Sequence, residues 1–149
     1  MEFYVEVDKS RANKESFYNS YMRRGLGAFK NAALSKLSIS KCDNYDKQLL
    51  LYSNIPDINK IVKGKHFTYN LLVYIINNLT YSRSDIGEHI YKVYIPHNNP
   101  FGDKLNIDLI LRIIEYGNGK IRPYNILNNS FLDFRHTLVS RYNKAFNRR

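Results

Sequence analysis

Three carboxylates in the last third of the sequence have the residue type and spacing of a metal-dependent nuclease. They are Asp103, Asp108 and Glu115, and the separation of seven positions between Asp108 and Glu115 would place both on one face of a helix. Such carboxylates can hold the Mg²⁺ that activates water for phosphodiester cleavage. No lysine-containing nuclease motif accompanies them, and Asp108 has a simpler explanation at the start of a predicted helix. The nuclease is therefore the less favoured interpretation of these residues.

The other reactive side chains are isolated from one another. Cys42 is the only cysteine, so the chain has no internal disulfide, and no base or oxyanion partner for a cysteine nucleophile can be assigned. No histidine lies beside another histidine or a cysteine at metal-ligand spacing; the four are His66, His89, His97 and His136. The sequence has no phosphate-binding loop and no serine nucleophile elbow. We therefore expect a protein without catalytic residues, metal or cofactor, and not an enzyme.

The apolar pattern predicts the elements that must position these side chains. Residues 2–7 and 88–95 alternate in the manner of strands. Residues 14–38 carry an apolar stripe at helical spacing, and 67–80 indicate a buried helix. The stripe consists of Met22, Leu26, Phe29, Ala33 and Leu37. A last helix is predicted over 130–146, with Phe131 on its apolar face.

These elements predict one α+β domain over residues 1–149. Its small antiparallel sheet packs against a long N-terminal helix and a C-terminal helix. The segment 39–66 is a candidate insertion, within which Gln48–Tyr52 favours a short strand.

The segment 106–127 has a clear local pattern. Asn106 is a typical N-cap, and Asp108 lies in the first turn, where the helix dipole favours negative charge. Gly117 is placed to end this helix with a positive φ. The backbone over 121–127 should be extended, because the residue before a proline is disfavoured in the helical region. The predicted structural turn residues are Gly117, Gly119 and Pro123.

This segment resembles a known family, the tail-completion, neck or head–tail joining proteins of tailed bacteriophages. Glu115-Tyr116-Gly117 matches the family's helix ending of Glu, aromatic and Gly, and Asn118-Gly119-Lys120 matches the turn that follows. Arg122-Pro123-Tyr124 matches the family's Arg-Pro-aromatic step. The predicted helices over 14–38 and 130–146 agree with the family's opening and closing helices. The family's central Pro-Val-Asp-Thr-Gly segment has no counterpart here.

The resemblance implies a structural virion protein that forms a ring, usually six-fold in this family, from copies of itself. Its partners would be the head connector or stopper and the tail-tube or terminator proteins. The protein would lie in the neck or tail of the virion after assembly in the host cytoplasm, and it would catalyse no reaction. Four residues would then lie at a subunit or partner contact, with Arg122 pairing with a carboxylate across it; they are Glu115, Tyr116, Arg122 and Tyr124.

The charge suggests an alternative, a small basic DNA-binding protein of phage or plasmid origin. The formal net charge is +10 and lies at the two ends, +4 over residues 1–41 and +6 over 120–149. This is the electrostatic pattern of phosphate contact, although no recognition motif accompanies it. The cations that would contact DNA, or an acidic partner, are Arg23, Arg24, Lys30, Arg141, Arg148 and Arg149.

The sequence predicts neither secretion nor membrane insertion. Its first residues are acidic where a signal peptide is basic, and no apolar run reaches the roughly 18 residues of a membrane span. We therefore expect a chain that stays in reducing cytoplasm or in a particle assembled there, without a membrane partner.

Overall fold

The computed structural model describes most of the chain, namely residues 2–6, 15–55, 58–62, 66–83, 90–95 and 106–133. Its elements are, in chain order, β1 (Glu2–Glu6), α1 (Glu15–Ser35), α2 (Ile39–Tyr52), α3 (Ile58–Val62), α4 (Phe67–Asn77), β2 (Thr80–Arg83), β3 (Ile90–Tyr94) and α5 (Ile107–Tyr116). A further helical segment covers residues 126–133. The predicted α+β class is confirmed.

The sheet is antiparallel, with strand order β1-β3-β2, so β3 lies in the middle. Val93 pairs with Phe3 on one side and with Tyr81 on the other. Buried residues alternate along the strands, because successive side chains point to opposite faces. Phe3, Val5 and Val93 lie on the face that is covered.

Helices from both ends of the described chain cover this face. The predicted stripe of α1 is buried at Met22, Leu26, Phe29 and Ala33. The ring of Phe131, in segment 126–133, stacks on Phe3 with centroids 4.7 Å apart and meets Phe29 at 6.0 Å. Aromatic contacts of this kind add about 1 kcal/mol each beyond simple burial. The sheet therefore packs against the N-terminal helix and the described start of the C-terminal helix.

The described part of segment 39–66 contains helices α2 and α3 and no strand, so the predicted strand over Gln48–Tyr52 is wrong. These residues are the end of α2, which begins after Ser38, whose side chain accepts a hydrogen bond from the Lys41 N–H at 3.4 Å. Helical spacing buries one face of α2, formed by Cys42, Tyr45, Asp46 and Leu49. The apolar members of this face join the common hydrophobic core together with Ile58 and Val62 of α3.

Two element boundaries also differ from the prediction. Helix α4 ends at Asn77, and the chain enters β2 at Thr80, a strand that the apolar pattern did not indicate. The predicted extension over 121–127 is wrong at its end, since Asn125 has a positive φ and residues 126–133 are helical. The remainder of the predicted last helix lies outside the described residues.

Candidate functional site

The segment that carries the family resemblance turns sharply at the end of α5. We call it the elbow and define it as residues 115–125, which run from the last two residues of α5 to segment 126–133. Helix α5 begins as predicted, with the Asn106 side chain accepting a hydrogen bond from the Leu109 N–H at 3.1 Å. It ends at Gly117, which has the predicted positive φ, 74°, and whose N–H donates to the Ile113 carbonyl at 2.8 Å. A glycine in this conformation lets the chain turn sharply away from the helix.

Asn118 organises the turn that follows. Its side-chain oxygen accepts hydrogen bonds from the N–H groups of Lys120, at 3.0 Å, and Ile121, at 2.8 Å. The returning chain comes so close to Gly117 that a Cβ there would overlap the Ile121 carbonyl oxygen. Gly119 has open space around it and no positive φ, so the turn does not require glycine at that predicted position.

Residues 121–125, the returning segment of the elbow, are hydrogen-bonded to the end of α5. The Tyr124 N–H donates to the Ile114 carbonyl at 2.8 Å, and the Asn125 N–H donates to the Glu115 carbonyl at 3.1 Å. Asn125 has a φ of 54°, the left-handed conformation that asparagine tolerates better than most residues. This conformation redirects the chain into segment 126–133.

The buried Glu115 carboxylate connects the elbow to the start of segment 126–133. It is 1% exposed and accepts hydrogen bonds from the Leu127 N–H at 2.7 Å and 3.0 Å. Burial raises the pKa of Glu115, and hydrogen bonds from the backbone of Leu127 and Asn128 partly offset that increase. Since the first N–H groups of a helix lack internal partners, this carboxylate caps segment 126–133 from a distant position in the chain.

The elbow also rests on α2. The ring of Tyr124 stacks on Tyr45 with centroids 5.2 Å apart, and the Tyr45 hydroxyl donates to the Arg122 carbonyl at 2.7 Å. The Tyr124 hydroxyl donates to the Lys36 carbonyl and accepts from the Ser38 N–H, both at 3.3 Å. Burial is the main cause that raises the pKa of Tyr124 to about 12, so this hydroxyl stays protonated at neutral pH.

Cys42 lies in the same contact. It is fully buried, and burial raises the pKa of its thiol although a hydrogen bond with Tyr124 acts in the opposite direction. A thiol with a raised pKa is a poor nucleophile at neutral pH, because the thiolate is the reactive form. Cys42 therefore acts here as a packing residue.

The four residues predicted at a partner contact separate into two pairs. Tyr116 and Arg122 are exposed, Tyr116 by 56%. Glu115 and Tyr124 are buried, so the prediction that they contact a partner is corrected: their polar groups bind within the chain instead.

Asp108 and Glu115, the two described members of the predicted nuclease cluster, do not come together at one site. Asp108 is exposed in the first turn of α5, whereas Glu115 is buried about 10 Å further along the helix and is occupied by backbone N–H groups. Asp103 lies outside the described residues. Within the ranges that the structure describes, no group of three or more His, Cys, Asp or Glu side chains could hold a metal ion.

The cations predicted to contact DNA have different surroundings. Arg23 and Arg24 are exposed next to each other on α1. The Lys30 ammonium donates to the Asn77 carbonyl at 3.1 Å, at the end of α4. The other three, Arg141, Arg148 and Arg149, lie outside the described residues.

Asp46 is a structural residue that the sequence analysis missed. It lies in α2 and is 9% exposed, and its carboxylate accepts hydrogen bonds from the N–H groups of Phe67, at 3.1 Å, and Thr68, at 2.8 Å. Asp46 thus caps α4, whose own N-cap residue, His66, makes no side-chain cap. No local pattern signals such a cap, because the two partners are more than twenty positions apart.

Replacing Asp46 with alanine should lower the free energy of unfolding by about 2 kcal/mol, because two N–H groups at the start of α4 lose their buried acceptor. The matched control is Asp43→Ala, which removes the exposed contact between the Asp43 carboxylate and the His66 ring nitrogen at 2.6 Å and should cost less than about 1 kcal/mol. Urea unfolding of the two variants measures the difference. Equal costs would show that Asp46 does not cap α4.

Comparison with known proteins identified no matching family model, curated protein or solved structure. Among the helices in the described ranges, none combines the length and the apolar character needed to cross a membrane.

Proposed function

We propose that this protein is a structural component of a tailed-bacteriophage virion. It forms a ring, six-fold by family resemblance, that completes the tail and joins the tail tube to the head connector. Its partners are copies of itself and the neighbouring connector, stopper, tube or terminator proteins, and DNA passes through the channel. It acts in the neck or tail, through surfaces and without a reaction.

The elbow is the observation that carries this proposal. The residues that resemble the tail-completion family build one unit held by contacts within the chain. Glu115 and Tyr124 make hydrogen bonds inside it, and Gly117 lies against the backbone of Ile121 and Pro123. The same unit leaves Tyr116 and Arg122 free at the surface. A preorganised element with outward aromatic and arginine side chains suits a contact between proteins, because little conformational entropy is lost on binding.

The exposed face of α5 is the surface that we assign to contact between copies. Leu109 and Tyr116 are seven positions apart on this face and are 44% and 56% exposed. Large apolar side chains left in water at helical spacing are typical of a helix that packs against another protein.

Native mass spectrometry over a concentration series tests the ring. The full-length chain is expected to form a closed species of several copies, and the double variant Leu109→Ser, Tyr116→Ser is expected to return it to the single chain. The matched control is Leu132→Ser, which removes a 59% exposed leucine from segment 126–133 and should leave the ring intact. A single-chain mass at every concentration contradicts the proposal, and so does a ring that the double variant leaves unchanged.

The gene neighbourhood gives an independent test. Flanking genes for portal, capsid and tail-tube proteins are expected, whereas flanking replication genes would contradict the proposal and favour the DNA-binding alternative.

That alternative rests on the adjacent exposed Arg23 and Arg24 and on the net charge of +10. It requires duplex DNA affinity in the micromolar range or tighter that falls steeply as salt rises, since bound cations release counterions from DNA. Gel shift across a salt series, with wild type beside Arg23→Glu, Arg24→Glu, measures this. Tight binding that the double variant abolishes would replace the structural proposal.

A further inference from the structure

The elbow and α2 contact each other along a seam in which these two segments of the chain run in opposite directions. Lys120 lies over the ring of Tyr52 at 5.6 Å, near the C-terminal end of α2. About two helical turns earlier in α2, the Tyr45 hydroxyl donates to the Arg122 carbonyl. Tyr124 reaches the start of α2, where the Lys41 ammonium lies 4.5 Å from the centre of its ring. Residues on one face of α2 therefore contact the elbow at Lys120, Arg122 and Tyr124.

Three cations border this seam, which we call the basic seam: Lys41, Lys120 and Arg122. All three are exposed, and none has a carboxylate partner within the described ranges. Elsewhere on the surface Lys36 is neutralised by Asp133 at 2.7 Å. The contacts with the Tyr124 and Tyr52 rings hold Lys41 and Lys120 in place, so both charges are positioned before any partner arrives.

Exposed apolar side chains adjoin the basic seam at the end of α2. Tyr52 and its neighbour Leu51 are 46% and 72% exposed, whereas Leu50, two positions before Tyr52, lies on a different side of the helix. Leu51 is the most exposed of the large apolar residues in the described ranges. The seam therefore offers positive charge along its length and apolar surface at one end.

We infer that the basic seam binds an acidic segment of a different protein, whose carboxylates pair with Lys41, Lys120 and Arg122 and whose apolar side chain covers Leu51 and Tyr52. The occupant is acidic because the three exposed cations of the seam lack carboxylate partners in the described ranges, and it is a different protein because the proposed ring places copies against the exposed face of α5. A nucleic acid would satisfy the cations and could stack on Tyr52, but it would leave Leu51 uncovered. This inference rests on the proposed function in naming a partner for the same elbow.

Fluorescence anisotropy with synthetic probes tests the inference on the full-length chain. The probe is a short peptide of alternating Asp or Glu and Leu or Phe. Three comparison probes are the same peptide with Asn and Gln in place of the acids, a polyglutamate peptide of equal charge, and an oligothymidylate of equal charge. The acidic apolar peptide is expected to bind at least about tenfold more tightly than each comparison probe, because only it matches both parts of the surface.

Charge reversal locates the site. The triple variant Lys41→Glu, Lys120→Glu, Arg122→Glu should weaken binding of the acidic apolar peptide at least about tenfold. The matched control, Arg23→Glu, Arg24→Glu, Arg112→Glu, changes the net charge equally at exposed cations outside α2 and the elbow and should retain binding within about threefold. Because reversal can disturb the fold, the triple Gln variant at the same three positions is measured as well, and it should also lose binding.

Several results would overturn the inference: no binding of the acidic apolar peptide, equal binding of polyglutamate, tighter binding of the oligothymidylate, or equal losses in the seam and control variants. The ring assay separates this inference from the proposed function. Peptide binding at the seam by a chain that remains single would contradict the ring and support the acidic partner. A ring that does not bind the peptide would support the ring and contradict the acidic partner.

Discussion

Replacing Gly117 with valine is expected to leave the chain unfolded, or to lower its free energy of unfolding by at least about 3 kcal/mol. Gly117 has a φ of 74° and a ψ of 179°, a combination that is almost confined to glycine. A Cβ would also overlap the Ile121 carbonyl oxygen and crowd Pro123. Backbone atoms form this obstacle, so the structure cannot relieve it by changing a rotamer.

Gly117→Ala and Gly119→Ala make the matched pair that isolates this effect. Both add one methyl group to the same turn, but nothing lies within 4 Å of the Cβ position at Gly119. Urea unfolding should give Gly117→Ala a midpoint and a free energy of unfolding well below those of wild type, and should give Gly119→Ala a free energy of unfolding within about 0.5 kcal/mol of wild type. Equal midpoints for the two alanine variants would show that the elbow does not depend on the conformation of Gly117.

Local signals in the sequence were enough to predict the two ends of α5. Asn106 caps its own helix and Gly117 ends it, and both effects depend on residues a few positions away. The paired strands β1 and β3 were also predictable, because the alternation that marks a strand is present in each of them. Strands β1 and β3 and the boundaries of α5 therefore follow from local patterns, whereas β2 does not.

The interior of the elbow could not be predicted in this way. Glu115 looks like a surface residue next to a turn, and only its contact with Leu127, twelve positions later, makes it a buried cap. Tyr124 is buried because it packs against Tyr45 and Ser38, which are about eighty positions earlier in the sequence. Helix α2 itself was missed, because a short apolar run such as Leu49-Leu50-Leu51 fits a strand as well as a helix.

Replacing Glu115 with alanine should lower the free energy of unfolding by about 3 kcal/mol, the second large effect expected at the elbow. The substitution leaves the Leu127 and Asn128 N–H groups without their acceptor in a buried site and creates a cavity there. Glu115→Gln keeps the size of the side chain and one acceptor oxygen, so it should cost only about 1 kcal/mol. Asn129→Ala, at an exposed position of the segment that Glu115 caps, is the control and should change stability by less than about 0.5 kcal/mol.

The pH dependence of the Glu115→Gln difference tests the electrostatic surroundings of the carboxyl. Burial raises the pKa of Glu115 above its ordinary value of 4.5, so the folded chain holds this proton more tightly than the unfolded chain does. The contribution of Glu115 to stability is therefore fully present below pH 4.5 and is lost as pH rises through the raised pKa. The stability of wild type minus that of Glu115→Gln should fall across this window, which urea unfolding at stepped pH values measures. A difference that grows with pH would mean that the hydrogen bonds from Leu127 and Asn128 outweigh burial, and that the elbow is held by a carboxylate whose pKa is lowered.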